Sequence, residues 1–310
     1  MVICLLWIFE IKELKIMPIN EVLEEKVKEI VKNKIDNLLK EEENVKAKIR
    51  EFKEKIASLK PEVALILGSG FKDIVELDDK IAISFEDLGL KYRKIAGHSR
   101  EFILGKYKNI PLIIASRVHY YETGDVKNIL KFFNILKDFG IKTLIATTAV
   151  GAVNEKFKAG DLMLIKDHIN LTGNNPLIAR EPIMFLDISN AYDRDLRSKI
   201  KKIAKNRNVS IHEGIHIQVS GPSYETPAEV KAFRRLGADT ISMSTALDCI
   251  SANYFGIKFV AFAGITNSAV TNDSEVLLHD DVVKIAGAIS KKLSLIIKDL
   301  LPYLNDINEK

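Results

Sequence analysis

The chain has only two cysteines among its 310 residues, Cys4 and Cys249, far apart and outside any CxxC or histidine-rich spacing. That excludes a disulfide framework and a thiolate zinc site, fits a cytoplasmic location, and leaves no metal dependence to expect. No block of like charge is present. The formal net charge of +4 comes from lysines scattered along the chain, so nucleic acid is not an expected partner. No membrane association is expected either, because no apolar run approaches the roughly 20 residues that cross a bilayer. The apolar opening, Met1-Val-Ile-Cys-Leu-Leu-Trp-Ile-Phe9, has no basic segment before it and no small-residue cleavage site after it, so it does not read as a signal peptide. Met17 begins a more natural polar start, and residues 1–16 are expected to be an upstream extension of the reading frame. N-terminal sequencing of the native product checks this, and finding Met1 there overturns it. Internal repeats and low-complexity linkers are absent as well.

A chain of this length can bury a sizeable core as one compact unit. From Ile19 to Leu59 it is rich in Lys and Glu, with Val45, Ile49, Phe52, Ile56 and Leu59 spaced by fours and threes. That stripe predicts an amphipathic helix packed on the body with a solvated charged face, in preference to a coiled-coil partner site. The run Lys40-Glu-Glu-Glu-Asn44 predicts a break between two helices. Residues 1–60 thus read as an N-terminal extension and helical segment, and 61–310 as the main domain.

After Lys60-Pro61 the texture changes to short apolar runs alternating with stretches of helical spacing, the pattern of an α/β domain. The predicted strands are Val63–Leu67, Leu112–Ala115, Thr143–Ala146, Leu162–Ile165, Ile215–Val219 and Phe259–Ile265. The predicted helices are Val126–Asp138, Arg194–Asn206, Pro227–Leu236 and Asp281–Leu300. Polar clusters follow the strands, where α/β sheets place their ligands: Gly68-Ser-Gly70, Arg117-Val-His-Tyr-Tyr-Glu122, Thr147-Thr-Ala149, Gly221-Pro-Ser-Tyr-Glu225 and Thr266-Asn267. Five such ends in one domain favour a composite active site over five ordinary turns.

Gly68-Ser69-Gly70 is either an anion-binding loop or a plain strand-to-helix turn. It lacks the third glycine of a dinucleotide loop and the Gly-Lys-Ser/Thr of a P-loop, so NAD and ATP are disfavoured. Arg117, His119 and Tyr121 alternate, which puts them on one face if the strand runs past Ser116, with Glu122 able to turn back and orient an imidazole. Arg with His forms an anion-binding pair, the guanidinium as a rigid fork and the carboxylate-held histidine as a further donor. His98 reads as a second phosphate-side histidine or as a loop histidine bonded to backbone. Met243-Ser244-Thr245 suits one face of a sugar beside an anion, although Met is common in cores. Tyr224-Glu225 offers a stacking surface and an acceptor for a heterocycle, or an ordinary surface pair.

In order and spacing these motifs, joined by Asp167-His-Ile-Asn-Leu171, Asn190-Ala-Tyr-Asp-Arg194, Leu236-Gly-Ala-Asp239 and Ile265-Thr-Asn267, resemble the trimeric, 6-oxopurine-specific purine nucleoside phosphorylases from about Val63 onward. The resemblance implies a single-domain α/β phosphorylase-like fold, a mixed central β-sheet flanked by helices, with an extra N-terminal helical segment. It implies a transferase that uses inorganic phosphate as co-substrate, takes no cofactor, and works as a homotrimer on purine nucleosides. Phosphate would be held by Ser69, His98, Arg117, His119, Ser244 and the backbone at Ala149. The ribose would meet Tyr121, Met243, His279 and, from a neighbouring subunit, Phe185. The base would meet Tyr224, Glu225 and Asn267. His98, His119, Glu225 and Asn267 would carry the chemistry.

This chain departs from the family pattern in places. Thr147-Thr-Ala-Val-Gly-Ala152 stands where the family usually reads Thr-Asn-Ala-Ala-Gly-Gly, so Thr148 replaces an amide, and Tyr224 replaces the commoner Phe. Rival readings are a 5′-methylthioadenosine phosphorylase of the same fold, a hydrolytic nucleosidase, a non-catalytic nucleoside-binding protein and a coiled-coil scaffold. Glu225 and Asn267 argue against the first, and the density of anion ligands against the second.

Overall fold

The computed structural model describes residues 21–71, 74–93, 99–178, 180, 182–269 and 279–308, without the side chains of 21–25, 279–283 and 307–308. The expected reading-frame extension, residues 1–16, lies outside this set. The chain divides into two compact units, Met1–Lys48 and Ile49–Lys310.

Helix α1 runs without a break over Glu21–Leu59, so the predicted interruption at Lys40–Asn44 does not occur. Lys and Glu are good helix formers, and Glu42 and Lys46 pair across one turn at 2.7 Å, so a run of like-charged residues does not end the helix. In the first unit Val27, Ile30, Ile35, Leu38 and Leu39 are exposed on it. In the second, the stripe continues as Phe52, which is buried against the Phe139 ring at 5.5 Å between centroids.

Among the described residues the larger unit has nine strands, β1 (Val63–Leu67), β2 (Asp78–Ser84), β3 (Glu101–Tyr107), β4 (Ile110–Ser116), β5 (Thr143–Ala152), β6 (Leu162–Asn170), β7 (His212–Gln218), β8 (Thr240–Ser242) and β9 (Lys258–Ser268). The helices are α2 (Tyr120–Thr123), α3 (Val126–Asp138), α4 (Arg194–Asn206), α5 (Pro227–Arg235), α6 (Ala246–Tyr254) and α7 (His279–Asn308). Their sheet order is β2-β3-β4-β1-β5-β8-β7-β6-β9, and because β9 also pairs with β5, the last five strands close on themselves. β1 lies parallel between β4 and β5, which explains its uninterrupted apolar sequence. Its side chains alternate between two cores: Ala64 and Ile66 face Phe102, Phe132 and Leu144, while Val63 and Leu65 face Ile289, Leu293 and Ile296 of α7. None of the helices among the described residues is long and apolar enough to cross a membrane.

Strand β1 and helices α3 and α4 have the bounds that periodicity predicts. The predicted strands at Thr143 and Phe259 are too short. β5 runs on to Ala152 and β9 to Ser268, paired in parallel as Thr148↔Ala263 and Ala149↔Gly264, so Thr148, Ala149, Thr266 and Asn267 sit on strands rather than in turns. β2, β3 and the short β8 were not expected. β2 is an edge strand whose first three residues, Asp78-Asp-Lys80, are exposed and charged, and such edges carry little apolar periodicity.

Candidate active site

A cavity of about 320 Å³ lies at the carboxyl ends of β1 and β5. Its walls include Ser69, His119, Tyr121, Thr148, Ala149, Tyr224, Glu225, Ser242, Met243, Ser244, Thr266 and Asn267. A larger cleft of about 900 Å³ shares only Gly68 with it and holds none of these side chains. Convergent polar groups, not size, therefore mark the smaller one as the candidate site.

Gly68 brings β1 to this point. Its amide donates to the Thr147 hydroxyl at 2.9 Å, and a Cβ there would lie 2.5 Å from the Thr147 carbonyl oxygen, so only glycine allows the approach. Ser69 follows at the cavity wall, and Gly70 turns the chain with φ 79°. Ser244 immediately precedes α6, whose N-terminus favours an anion. Thr245 caps that helix at φ 93°, a strained backbone for a threonine, and its hydroxyl accepts from Arg117 Nη1 at 2.8 Å.

The expected arrangement of Arg117, His119 and Tyr121 on one strand face is not what forms. β4 ends at Ser116, and His119 is the N-cap of α2, because its amide and ring both turn to Glu122 three residues on. Arg117 is only 1% exposed and lies beneath the cavity instead of lining it. Nη2 donates to the Thr147 carbonyl at 3.0 Å, and Nη1 stands 3.0 Å from Oδ2 of buried Asp248. Burial pushes the Asp248 carboxyl up, opposed by the Arg117 charge.

Glu122 behaves as expected. Oε1 lies 2.9 Å from His119 Nδ1 and 2.9 Å from Arg100 Nη2, and the Arg93 amide donates to Oε2 at 3.2 Å. Burial opposes its charge, yet the His119 hydrogen bond and Arg100 together hold the carboxyl below its usual range. Burial lowers His119 to about 4, against the Glu122 hydrogen bond that raises it. The ring is therefore neutral at pH 7. An ionised carboxylate only accepts, so Nδ1 carries the hydrogen and Nε2 is the acceptor nitrogen. The ring stacks on Tyr121 at 4.8 Å, and burial pushes the Tyr121 phenol up to about 12.

On the far side stand the base candidates. The Thr266 hydroxyl donates to Asn267 Oδ1 at 2.9 Å, and Asn267 Nδ2 gives one hydrogen to the Ser268 carbonyl at 3.2 Å. The amide is thereby oriented with its second hydrogen left for a ligand. Glu225 is raised above the ordinary carboxylate value, chiefly by burial, with its own backbone hydrogen bond opposing and Glu229 adding. Tyr224 is half exposed beside it.

The cavity thus unites Ser69, His119, Tyr121, Ala149, Tyr224, Glu225, Met243, Ser244 and Asn267. Phe185 is apart from them on the surface, 96% exposed. His98 lies outside the described residues, and so does the side chain of His279, whose backbone opens α7. Sequence reasoning missed Gln218, which accepts from the Leu247 amide at 3.0 Å and donates to the Met243 carbonyl at 3.3 Å. It also missed His216, Ser242 and Asp248. The signal was the polar alternation His216-Ile-Gln218 within a buried strand.

The two buried imidazoles make acid stability testable. His216 is lowered to about 3, chiefly by burial, so like His119 it is neutral when folded and takes up a proton on unfolding. Each contributes stability that is whole above pH 6.5 and is lost as pH falls towards the folded value, on the order of 3 kcal/mol each. Urea midpoints measured from pH 7 to 4.5 are expected to fall steadily. A midpoint flat over that window contradicts buried neutral rings.

The fold and cavity define a member of the phosphorylase superfamily, whose family model matches residues 62–302. Purine nucleoside phosphorylase 1 of Bacillus subtilis (strain 168) is 36% identical over 248 residues, covering 78% of this chain and 92% of the relative. The Schistosoma mansoni purine nucleoside phosphorylase solved with adenosine superposes with a TM-score of 0.75 at 29% identity, over 83% of this chain and 95% of that one. A Schistosoma mansoni purine nucleoside phosphorylase solved with inosine gives 0.72 at 29% identity, over 83% of this chain and 96% of that one. The chain belongs to the purine nucleoside phosphorylase family.

Proposed function

We propose that the chain catalyses phosphate-dependent, reversible cleavage of inosine, guanosine and their deoxy forms to free base and (deoxy)ribose 1-phosphate. The observation that carries this reading is the meeting, in one cavity, of anion-side groups with a base-side carboxylate and amide. Ser69, Ser244 and the Ala149 backbone hold phosphate, and the family resemblance assigns His98 to the same ligand. Arg117 contributes its positive charge from beneath the floor. His119, with Nδ1 held by Glu122, completes the anion side.

Breaking the glycosidic bond leaves positive charge on the ribose carbon and negative charge on the purine. Phosphate on one face supplies a nearby anion and the nucleophile, held by fixed donors. Tyr121, Met243 and His279 hold the sugar. Glu225 accepts from purine N1–H, Asn267 donates to N7 as it gains electron density, and Tyr224 flanks the ring. No cofactor enters. The exposure of Phe185 suits a side chain that caps the ribose of a neighbouring subunit, so the working form is a homotrimer with shared sites.

Phosphorus NMR of inosine incubated with phosphate tests the reaction itself. A sugar 1-phosphate resonance rising mole for mole with hypoxanthine supports it; free ribose in its place means hydrolysis. The raised Glu225 adds a second expectation. Its protonated form accepts from N1–H only as a neutral carbonyl and loses the charge-assisted bond, so kcat/KM for inosine falls on the acid side with a midpoint above 4.5, the usual glutamate value. Glu225→Gln removes that limb along with most of the activity. An unchanged limb in this variant refutes the role.

A further inference from the structure

Behind Ser244 lies a line of hydroxyls and one imidazole whose donor and acceptor roles constrain one another. His216 is fully buried on β7. Nε2 is 3.1 Å from the Ser244 carbonyl oxygen, which only accepts, so Nε2 carries the hydrogen. The ring is neutral, lowered to about 3, so Nδ1 is a lone pair and the Thr240 hydroxyl, 3.1 Å away, donates to it. Nε2–H is also 3.1 Å from Ser242 Oγ, which accepts the Ser244 amide at 3.3 Å as well. With both lone pairs of Ser242 used, its proton must leave. The Ser244 carbonyl, 3.3 Å away, receives the imidazole hydrogen on one of its two lone pairs, and Ser244 Oγ lies 3.5 Å away. The third acceptor in reach is the Thr148 hydroxyl oxygen, also at 3.3 Å, and it can hand a proton on towards the cavity, which a carbonyl cannot. Thr148 then passes its own proton to Ser244 Oγ at 3.1 Å, nearer than the Ala149 carbonyl at 3.4 Å.

We propose that Thr240, His216, Ser242 and Thr148 form a one-way donor chain that makes Ser244 an obligate hydrogen-bond donor into the cavity. A hydroxyl that accepts from Thr148 turns its own hydrogen outward, so an anion arriving there meets a proton and never a lone pair. His216, Ser242 and Thr148 are positioning residues that act through Ser244. Thr148, which stands where the family carries an amide, is the link that completes the chain. The inference rests on Ser244 as a phosphate ligand. It goes beyond that assignment in naming what fixes the direction of the hydroxyl.

Steady-state kinetics of the full chain, varying phosphate and inosine separately, test it in Thr148→Val, Thr148→Ser, Ser242→Ala and the Thr148→Val/Ser242→Ala double variant. Thr148→Val and Ser242→Ala are each expected to raise KM for phosphate about five- to ten-fold, with KM for inosine close to wild type. Thr148→Ser, which keeps the hydroxyl, restores the wild-type value. The double variant is no worse than the weaker single, because a chain cut twice is still one cut chain. Thr148→Ser behaving like Thr148→Val, both KM values moving together, or single effects that multiply would each overturn the proposal. Nitrogen NMR of His216 gives a readout apart from turnover: an Nε2–H tautomer agrees and an Nδ1–H tautomer refutes. The two readings fail separately. Phosphate-independent base release in wild type sinks the phosphorylase reading, whereas phosphate dependence untouched by Thr148→Val sinks only the donor chain.

Discussion

Replacing Asn267 with Leu, which keeps the bulk and removes the amide, is expected to lower kcat for inosine by about 10²- to 10³-fold with a small change in KM. The effect falls on kcat because, in the role proposed for Asn267, its hydrogen bond to N7 strengthens only as the purine departs with negative charge. The amide is set for this in advance. Thr266 holds Oδ1 at 2.9 Å and Ser268 takes one Nδ2 hydrogen, so no reorganisation is needed when the charge develops. Gly151 packs behind it, with room for a Cβ only 3.3 Å from Nδ2. Asn267→Asp extends the test to specificity. A carboxylate in place of the amide is expected to shift preference from inosine towards adenosine, because it accepts from a 6-amino group. Loss of inosine activity with no gain on adenosine would show that Asn267 does not set base choice. Loss under ten-fold in Asn267→Leu would remove it from the chemistry altogether.

The second large effect concerns the ion pair under the floor. Asp248→Leu leaves the Arg117 guanidinium buried without its carboxylate and is expected to cost about 3–5 kcal/mol of stability. The double variant Arg117→Leu/Asp248→Leu, which removes both charges, is expected to recover most of that loss because the desolvation cost disappears with the pair. Turnover with phosphate does not recover, since the positive charge beneath the anion site is gone. Chemical denaturation of the four members of this cycle gives the coupling directly. Additive stability losses would mean that Arg117 and Asp248 do not act as a pair. A double variant with wild-type KM for phosphate would mean that Arg117 has no role in binding the anion.

How far the sequence disclosed this arrangement depended on the kind of signal. Strand β1 and helices α3 and α4 were readable to the residue because burial imposes a clean period on Val63–Leu67, Val126–Asp138 and Arg194–Asn206. Ser69, Thr148 and Asn267 were identifiable as cavity residues because polar side chains follow apolar runs. Their setting was less legible. Thr148 and Asn267 sit on strands that pair with one another far beyond the predicted ends, a register decided by the closure of β5 on β9, which no local pattern encodes. Arg117 shows the same limit. Alternation along 117–121 suggested a shared face, but Glu122 takes both the amide and the ring of His119 and turns the chain into α2, while Asp248 and Thr245, more than a hundred positions away, draw the guanidinium inward. The direction of the His119 hydrogen bond was also beyond sequence, since it follows from which nitrogen meets the carboxylate.

The most direct test of the central claim is release of free base from inosine, guanosine, adenosine and methylthioadenosine, each with and without phosphate. The account predicts hypoxanthine and guanine only when phosphate is present, with little adenine from either adenosine compound. Base released equally well without phosphate, or adenine as the main product, would contradict it.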